Sequence, residues 1–130
     1  MRPFDYYRPE VFEEAFRWLL LPEKKVLPLA GATDLIPMVR DGLWQPDVVV
    51  DIKGLPGMGD IVVTEEGLRV GAAVRMTELI HHPLVNSTPW NLLAQAAAAM
   101  GNEQIRNRAT LGGNLCTASP AADSAPALLV

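Results

Sequence analysis

Residues Gly101–Asp123 read GNEQIRNRATLGGNLCTASPAAD. The stretch carries the pair Gly112-Gly113 and is crowded with short hydroxyl and amide side chains from Asn107 to Ser124. Aliphatic residues are few, so core packing does not explain it. A glycine pair lets backbone amides approach a ligand with no Cβ in the way. Thr110, Asn114, Thr117 and Ser119 add short donors and acceptors beside those amides. The composition fits either an irregular surface loop or a loop that holds a polyoxygen group, such as a pyrophosphate, on successive N–H groups.

Immediately upstream, Thr88 and Pro89 read as N-cap and first residue of a helix over Trp90–Met100, with Gly101 as its stop. Ala94 and Ala96–Ala99 give that helix a face able to lie close against a neighbour. Further back, Ile61–Thr64 and Leu68–Gly71 read as a hairpin turning at Glu65-Glu66-Gly67, with Ala72–Arg75 prolonging the second strand. Thr77 is the expected cap of a short helix through Ile80, and His81-His82 a solvated helix end. Gly54–Gly59 reads as a linker, since its G-x-x-G-x-G order is not the dinucleotide fingerprint G-x-G-x-x-G.

The N-terminal part alternates strand and helix. An extended segment near Phe4–Tyr7 leads to a helix with Pro9 in its first turn and Val11, Phe12, Ala15, Trp18 and Leu19 as its apolar stripe. Phe12, Phe16 and Trp18 are expected in the core. Val26–Ala30 is a short strand, Leu35–Arg40 a second helix and Asp47–Asp51 a third strand, the pattern of a small, mostly parallel α/β unit. Gly31-Ala32-Thr33-Asp34 lies where a strand meets a helix N-terminus, a place with unpartnered amides that suits an anion. Thr33 or Asp34 as a simple N-cap is the other explanation.

The 130 residues amount to about one domain, with 49% hydrophobic and 20% charged residues. Eleven basic residues against fifteen acidic give a net charge of −4, with no basic block, which argues against a nucleic-acid surface. Cys116 is the single cysteine, so the chain by itself offers no internal disulfide and no cysteine-ligated cluster. There is no apolar run of membrane-spanning length and no signal-peptide core at the start, so a cytoplasmic location is expected. The apolar end Ala125–Val130 suggests that a further element follows. Two small-residue loops in one short chain would clamp one diphosphate between two sets of amides if they face each other. Neither has the Walker lysine, and no nucleophile–base pair is evident, so the chemistry would belong to a dinucleotide-like cofactor.

Leu29-Ala30-Gly31-Ala32-Thr33-Asp34-Leu35 and Ala109-Thr110-Leu111-Gly112-Gly113-Asn114-Leu115, followed by Ala118–Asp123, closely resemble the flavin-binding subunit of molybdenum hydroxylases. That group includes the FAD subunits of xanthine dehydrogenase and the medium subunit of aerobic carbon monoxide dehydrogenase. The resemblance implies an α+β fold of the vanillyl-alcohol-oxidase (PCMH) type. A small N-terminal α/β subdomain would span residues 1–55, and an incomplete antiparallel-strand subdomain residues 60–130. FAD, non-covalently bound, would lie between Leu29–Leu35 and a second wall of Ala109, Thr110, Gly112, Gly113 and Asn114. Gly101, Thr117 and Asp123 match further FAD-contacting positions, with Asp123 accepting from hydroxyls. The implied partners are a molybdopterin-containing large subunit and a 2Fe-2S small subunit. Electrons would pass through the clusters to FAD and on to NAD or another acceptor, with no catalytic or metal-ligating residue on this chain. Two departures stand out. Ala32 replaces the second glycine of A-G-G-T-D, and the family's subunit continues beyond this length, so this piece alone is expected to bind FAD weakly and not to turn over. The alternatives are another flavin-dependent reductase of the same fold, or a non-catalytic assembly module that lost the cofactor. From the loop reading, Gly113→Val is expected to abolish FAD binding with little loss of fold, because a β-branched side chain would block the amides.

Overall fold

The computed structural model describes residues 2–129, so Met1 and Val130 lie outside the described residues. Strands β1 (Asp5–Tyr7), β2 (Val26–Leu29) and β3 (Val48–Asp51) form a parallel sheet in the order β1–β3–β2. The central strand, Val-Val-Val-Asp, is buried throughout, as a strand paired on both edges and covered by helices must be. Asp5 and Val26 both stand opposite Val48, and Leu29 stands opposite Asp51. Parallel neighbours cannot be joined by a tight turn. Helix α1 (Phe12–Leu19) therefore carries the chain from β1 to β2, and α2 (Leu35–Arg40) carries it from β2 to β3.

Helix α1 starts later than the sequence suggests. Val11 is its N-cap, which leaves Pro9 ahead of the helix. Its apolar stripe also divides. Ala15 is buried, and the half-buried Trp18 stacks on Tyr7 with ring centroids 3.7 Å apart. Phe12 and Phe16 stay exposed and stack on each other at 6.1 Å, so the expectation that they join the core is wrong.

The second half opens with the antiparallel hairpin β4 (Ile61–Thr64) and β5 (Gly67–Val70). Gly67 closes the turn opposite Thr64 at φ +134°, a conformation glycine reaches without strain. Five helices follow among the described residues: α3 (Met76–His81), α4 (Asn91–Ala99), α5 (Glu103–Arg106), α6 (Leu111–Thr117) and α7 (Ser124–Leu128). A half rich in antiparallel strands was expected. The described residues supply this hairpin and one isolated antiparallel bridge between Arg75 and Thr110, and the rest of this half is helix and turn. Its core gathers Val74, Met76, Leu79, Val85, Leu93, Ala94, Ala97, Ala109 and Leu111, with the alanines of α4 allowing a close approach.

Several caps differ from the sequence expectation. Arg75, not Thr77, begins α3: the Glu78 carboxylate accepts from the Arg75 N–H at 2.8 Å, while Thr77 Oγ1 donates to Asn107 Oδ1 at 2.7 Å. Trp90 is the N-cap of α4, so Thr88 and Pro89 precede it. His81 is exposed at the end of α3, as expected of a solvated helix end, but His82 Nδ1 is buried with no hydrogen-bond partner among the described residues. The Gly54–Gly59 segment is packed, not slack. The Ala73 N–H donates to Met58 O at 2.7 Å, Leu55 is buried, and a Cβ on Gly71 would lie 2.3 Å from Met58 O.

Candidate functional site

Strand β2 ends at Leu29, whose carbonyl accepts from the Ile52 N–H at 3.0 Å. The chain then turns through Ala30–Asp34 into α2. Among the described residues, the N–H groups of Gly31, Ala32, Thr33 and Asp34 donate to no acceptor within the chain. Asp34 occupies the N-cap position, but its side chain makes no capping bond. Simple capping therefore does not explain this turn. The Asp34 carboxylate instead accepts from Thr117 Oγ1 at 2.8 Å, across the two halves of the molecule. Ala32 is left-handed at φ +68°. A left-handed residue within a run of free amides forms a concave nest of N–H groups, the backbone arrangement that holds phosphates. For an L-residue that conformation costs about 1–2 kcal/mol.

The facing wall differs from the expected loop. Thr110 N-caps α6, its Oγ1 accepting from the Gly113 N–H at 3.2 Å. The Leu111 N–H donates to Val74 O at 2.9 Å, the Gly112 N–H to Ala72 O at 2.8 Å and the Asn114 N–H to Thr110 O at 3.0 Å. The amides of residues 111–114 are thus committed internally, and a second set of amides on a diphosphate is ruled out in this conformation. What the glycine pair supplies is closeness. A Cβ on Gly112 would stand 2.7 Å from Ala72 Cβ, and one on Gly113 would stand 2.9 Å from Thr110 Oγ1. Gly113→Val would therefore disturb the helix cap as well as the wall.

The two segments do meet. A Cβ on Gly31 would lie 2.2 Å from the Arg108 carbonyl oxygen, so the first turn rests on the backbone that leads into α6. Between them is one cavity of about 290 Å³. It is lined by Ala30–Leu35 on one side and by Thr110, Gly112, Gly113, Cys116 and Thr117 on the other. The residues from α6 sit at i, i+1, i+4 and i+5, a single helix face. Leu27, Pro28, Trp44, Ile52 and Ala72 complete the lining. No Lys or Arg contributes among the described residues, and Asp34 is the one charged side chain.

Five residues singled out from the sequence do not line this cavity. Leu29 ends β2 and Ala109 is buried behind the wall. Asn114 Oδ1 accepts from Ser124 Oγ, and Asp123 is exposed at the start of α7. Gly101 ends α4 at φ +45°, where the Arg106 guanidinium donates to Met100 O at 2.9 Å and Gly101 O at 3.2 Å. Conversely, Trp44, Ile52, Ala72 and Cys116 line the cavity and were not anticipated. Cys116 follows Gly112 by four residues, so recognising α6 as a helix would have found it.

At the carboxyl edge of the sheet, buried Asp51 accepts from Tyr6 Oη at 2.6 Å and from Lys53 Nζ at 2.7 Å. Burial pushes its pKa up, but the bonds from Lys53 and Tyr6 together outweigh that and hold the carboxyl below its usual range. The Tyr6 hydroxyl is raised, chiefly by its bond to Asp51. This cluster anchors β1 to β3 beside the linker. The donor set of the cavity, by contrast, consists of backbone amides and small hydroxyls. It fits an anion with several oxygens, and 290 Å³ is near the lower limit of about 300 Å³ for small-molecule pockets, enough for part of a dinucleotide.

A family described as the FAD binding domain in molybdopterin dehydrogenase matches residues 2–130. The chain belongs to that family. The nicotinate dehydrogenase FAD-subunit of Eubacterium barkeri is 40% identical over 130 residues, covering 98% of this chain and 43% of the relative. The glyceraldehyde dehydrogenase medium chain of Sulfolobus acidocaldarius is 32% identical, covering 92% of this chain and 42% of the relative. Among solved structures, a carbon monoxide dehydrogenase from Hydrogenophaga pseudoflava that lacks the Mo-pyranopterin moiety superposes with a TM-score of 0.88. Its identity is 31%, over 95% of this chain and 42% of that one. The chain thus spans less than half the length of the relatives it matches. The fold is the α+β arrangement of this FAD-binding family, and the family's cofactor is the FAD expected from the sequence. No helix among the described residues is long and apolar enough to cross a membrane.

Proposed function

We propose that this chain is the part of an electron-transferring subunit that grips the diphosphate of FAD, within a cytoplasmic molybdenum hydroxylase complex. The observation that carries the proposal is the run of unclaimed amides from Gly31 to Asp34, facing the glycine-bearing face of α6 across one cavity. In this proposal those N–H groups donate to the diphosphate oxygens, and Ala30 and Leu35 flank them. Thr110, Gly112, Gly113 and Thr117 form the opposite wall, acting by shape where no side chain intrudes. Leu29, Ala109 and Asn114 support the two walls from behind, and Asp123 accepts from a sugar hydroxyl. Gly101 is left to its task as the stop of α4.

Bound FAD would accept electrons and release them to a second acceptor. The chain's own residues bind and orient it. Among the described residues no Lys or Arg lines the cavity to neutralise the diphosphate, so backbone dipoles bear that charge. The Asp34–Thr117 bond ties the first turn to α6 and keeps the cavity at its width. Ala32 retains its N–H and adopts the left-handed conformation that the missing glycine would have favoured. The substitution therefore gives no support to a module that has lost its cofactor.

The wider proposal follows from the family and from the names of the relatives, a FAD-subunit and a medium chain. A 2Fe-2S small subunit would deliver electrons from a molybdopterin-containing large subunit, and NAD or another acceptor would take them on. The site is tested by competition. With FAD bound to the chain and read by flavin fluorescence, ADP should displace it and riboflavin should not, because only the former carries the diphosphate. Riboflavin binding as tightly as FAD would refute the assignment of the amides.

A further inference from the structure

On the other side of the Gly31–Arg108 contact lies a second cavity of about 300 Å³, which shares only Ala30 and Gly31 with the first. Its chemistry is the reverse of its neighbour's. Lys53, Arg75 and Arg108 line it together with Asn107, and Glu78 is its one acidic residue. Cations gather here on a chain whose net charge is −4.

The acceptors around this cavity are taken. Glu78 Oε2 accepts from the Arg75 N–H at 2.8 Å and from Arg75 Nε at 3.1 Å, and Glu78 Oε1 accepts from Arg75 Nη2 at 3.1 Å. Asp51, behind the cavity, has one oxygen on Lys53 and the other on Tyr6. Asn107 Oδ1 accepts from Thr77 Oγ1. Each of these side-chain oxygens therefore already has a donor. The donors are not used up. The Arg108 guanidinium makes no hydrogen bond among the described residues, and Arg75 Nη1, the Asn107 amide nitrogen and part of the Lys53 ammonium remain. A guanidinium carries five N–H groups and an ammonium three, so the surplus is all donor.

We propose that this cavity is an oxyanion site, built by Lys53, Arg75, Asn107 and Arg108 to take a phosphate group distinct from the diphosphate of FAD. A tetrahedral oxyanion accepts from several directions at once, which suits donors converging from separate segments. Guanidinium groups match it well. The two cavities should also differ in their response to salt, since only this one binds through mobile charged side chains.

The test is an amide-resolved NMR titration of the full chain with potassium phosphate, against potassium chloride at equal ionic strength. Saturable shifts are expected at Ala73, Asn107 and Arg108 with phosphate alone. Arg108→Gln and Lys53→Gln should each weaken phosphate about tenfold, the loss of one charge-assisted partner. The unfolding midpoint should hold in Arg108→Gln, whose side chain is exposed and bonds nothing among the described residues, and fall in Lys53→Gln, which takes a partner from buried Asp51. Phosphate should still bind after the chain is saturated with FAD. Shifts that do not saturate, that survive in both variants, or that chloride reproduces would overturn the site. Displacement by FAD would overturn its independence. The saturation, the two variants and the chloride control do not depend on whether FAD binds where proposed; only the displacement result does.

Discussion

Replacing Gly31 by Ala is expected to weaken both the fold and the cofactor site. Gly31 is not in a left-handed conformation, so alanine can adopt its backbone angles, and the restricted unfolded chain would favour the variant by about 0.4–1 kcal/mol. Steric contact opposes this. The new Cβ would stand 2.2 Å from Arg108 O, 2.9 Å from Arg108 C and 3.0 Å from Ala109 Cα. Reaching an ordinary contact requires a retreat of about 1 Å. The obstructing backbone is held: Ala109 N–H donates to Ile105 O at 2.7 Å, and Ala109 O accepts from the Met76 N–H at 2.9 Å. Overpacking of this kind costs about 1–3 kcal/mol, which leaves a net loss of about 1–2 kcal/mol. With a urea slope of about 1–3 kcal/mol per molar, the midpoint should fall by about 1 M. FAD affinity should fall by about tenfold or more as the two walls separate. Gly59→Ala is the control, because its Cβ would meet nothing within 4 Å and its φ is not positive. A Gly31→Ala protein with the midpoint and FAD affinity of the unaltered chain would refute the close approach of the two segments.

Ala32→Gly should do the opposite, raising stability by up to about 1 kcal/mol as relief of the left-handed strain exceeds the added unfolded-state entropy, with FAD affinity kept; a lower urea midpoint would contradict the left-handed turn. FAD binding should rise slightly, not fall, between about 50 and about 500 mM salt, because no cation lines the cavity among the described residues and Asp34 repels the ligand. A steep loss of FAD affinity with salt would place Lys or Arg on the diphosphate. Asp51 has a lowered folded pKa, so its stabilisation is present above the unfolded carboxylate value near 4 and disappears as pH falls through the folded one. Asp51→Asn should flatten that part of the acid unfolding curve, and an unchanged acid slope would discount the Tyr6–Asp51–Lys53 cluster.

The parallel sheet was legible because β-branched runs such as Val48–Val50 and amphipathic spacers are local patterns, and the hairpin because Glu65-Glu66-Gly67 interrupts two such runs. The two glycine-bearing segments were likewise visible as candidates from composition alone. Helix α6 was not. Adjacent glycines each cost a helix about 1 kcal/mol relative to alanine, so Leu111-Gly112-Gly113-Asn114 read as loop. The helix is supported from elsewhere, by the Thr110 cap and by Val74 and Ala72 accepting its first amides. The cap is local, but the bonds to Val74 and Ala72 join residues more than thirty positions apart, and no local pattern reports them. The same holds for Phe12 and Phe16: spacing places them near the edge of the apolar face of α1, and only the position of the sheet leaves them exposed. Thr33 and Asp34 had the composition of a cap, yet Thr117, eighty-three residues away, takes up the carboxylate instead.

The most direct measurement is an amide-resolved NMR titration of the chain with FAD. The N–H groups of Gly31, Ala32, Thr33 and Asp34 should shift together and saturate, while those of Leu111, Gly112 and Gly113 keep their internal partners and move less. Saturable shifts that spare Gly31–Asp34, or that are largest at Leu111–Gly113, would contradict a diphosphate held by the first turn alone.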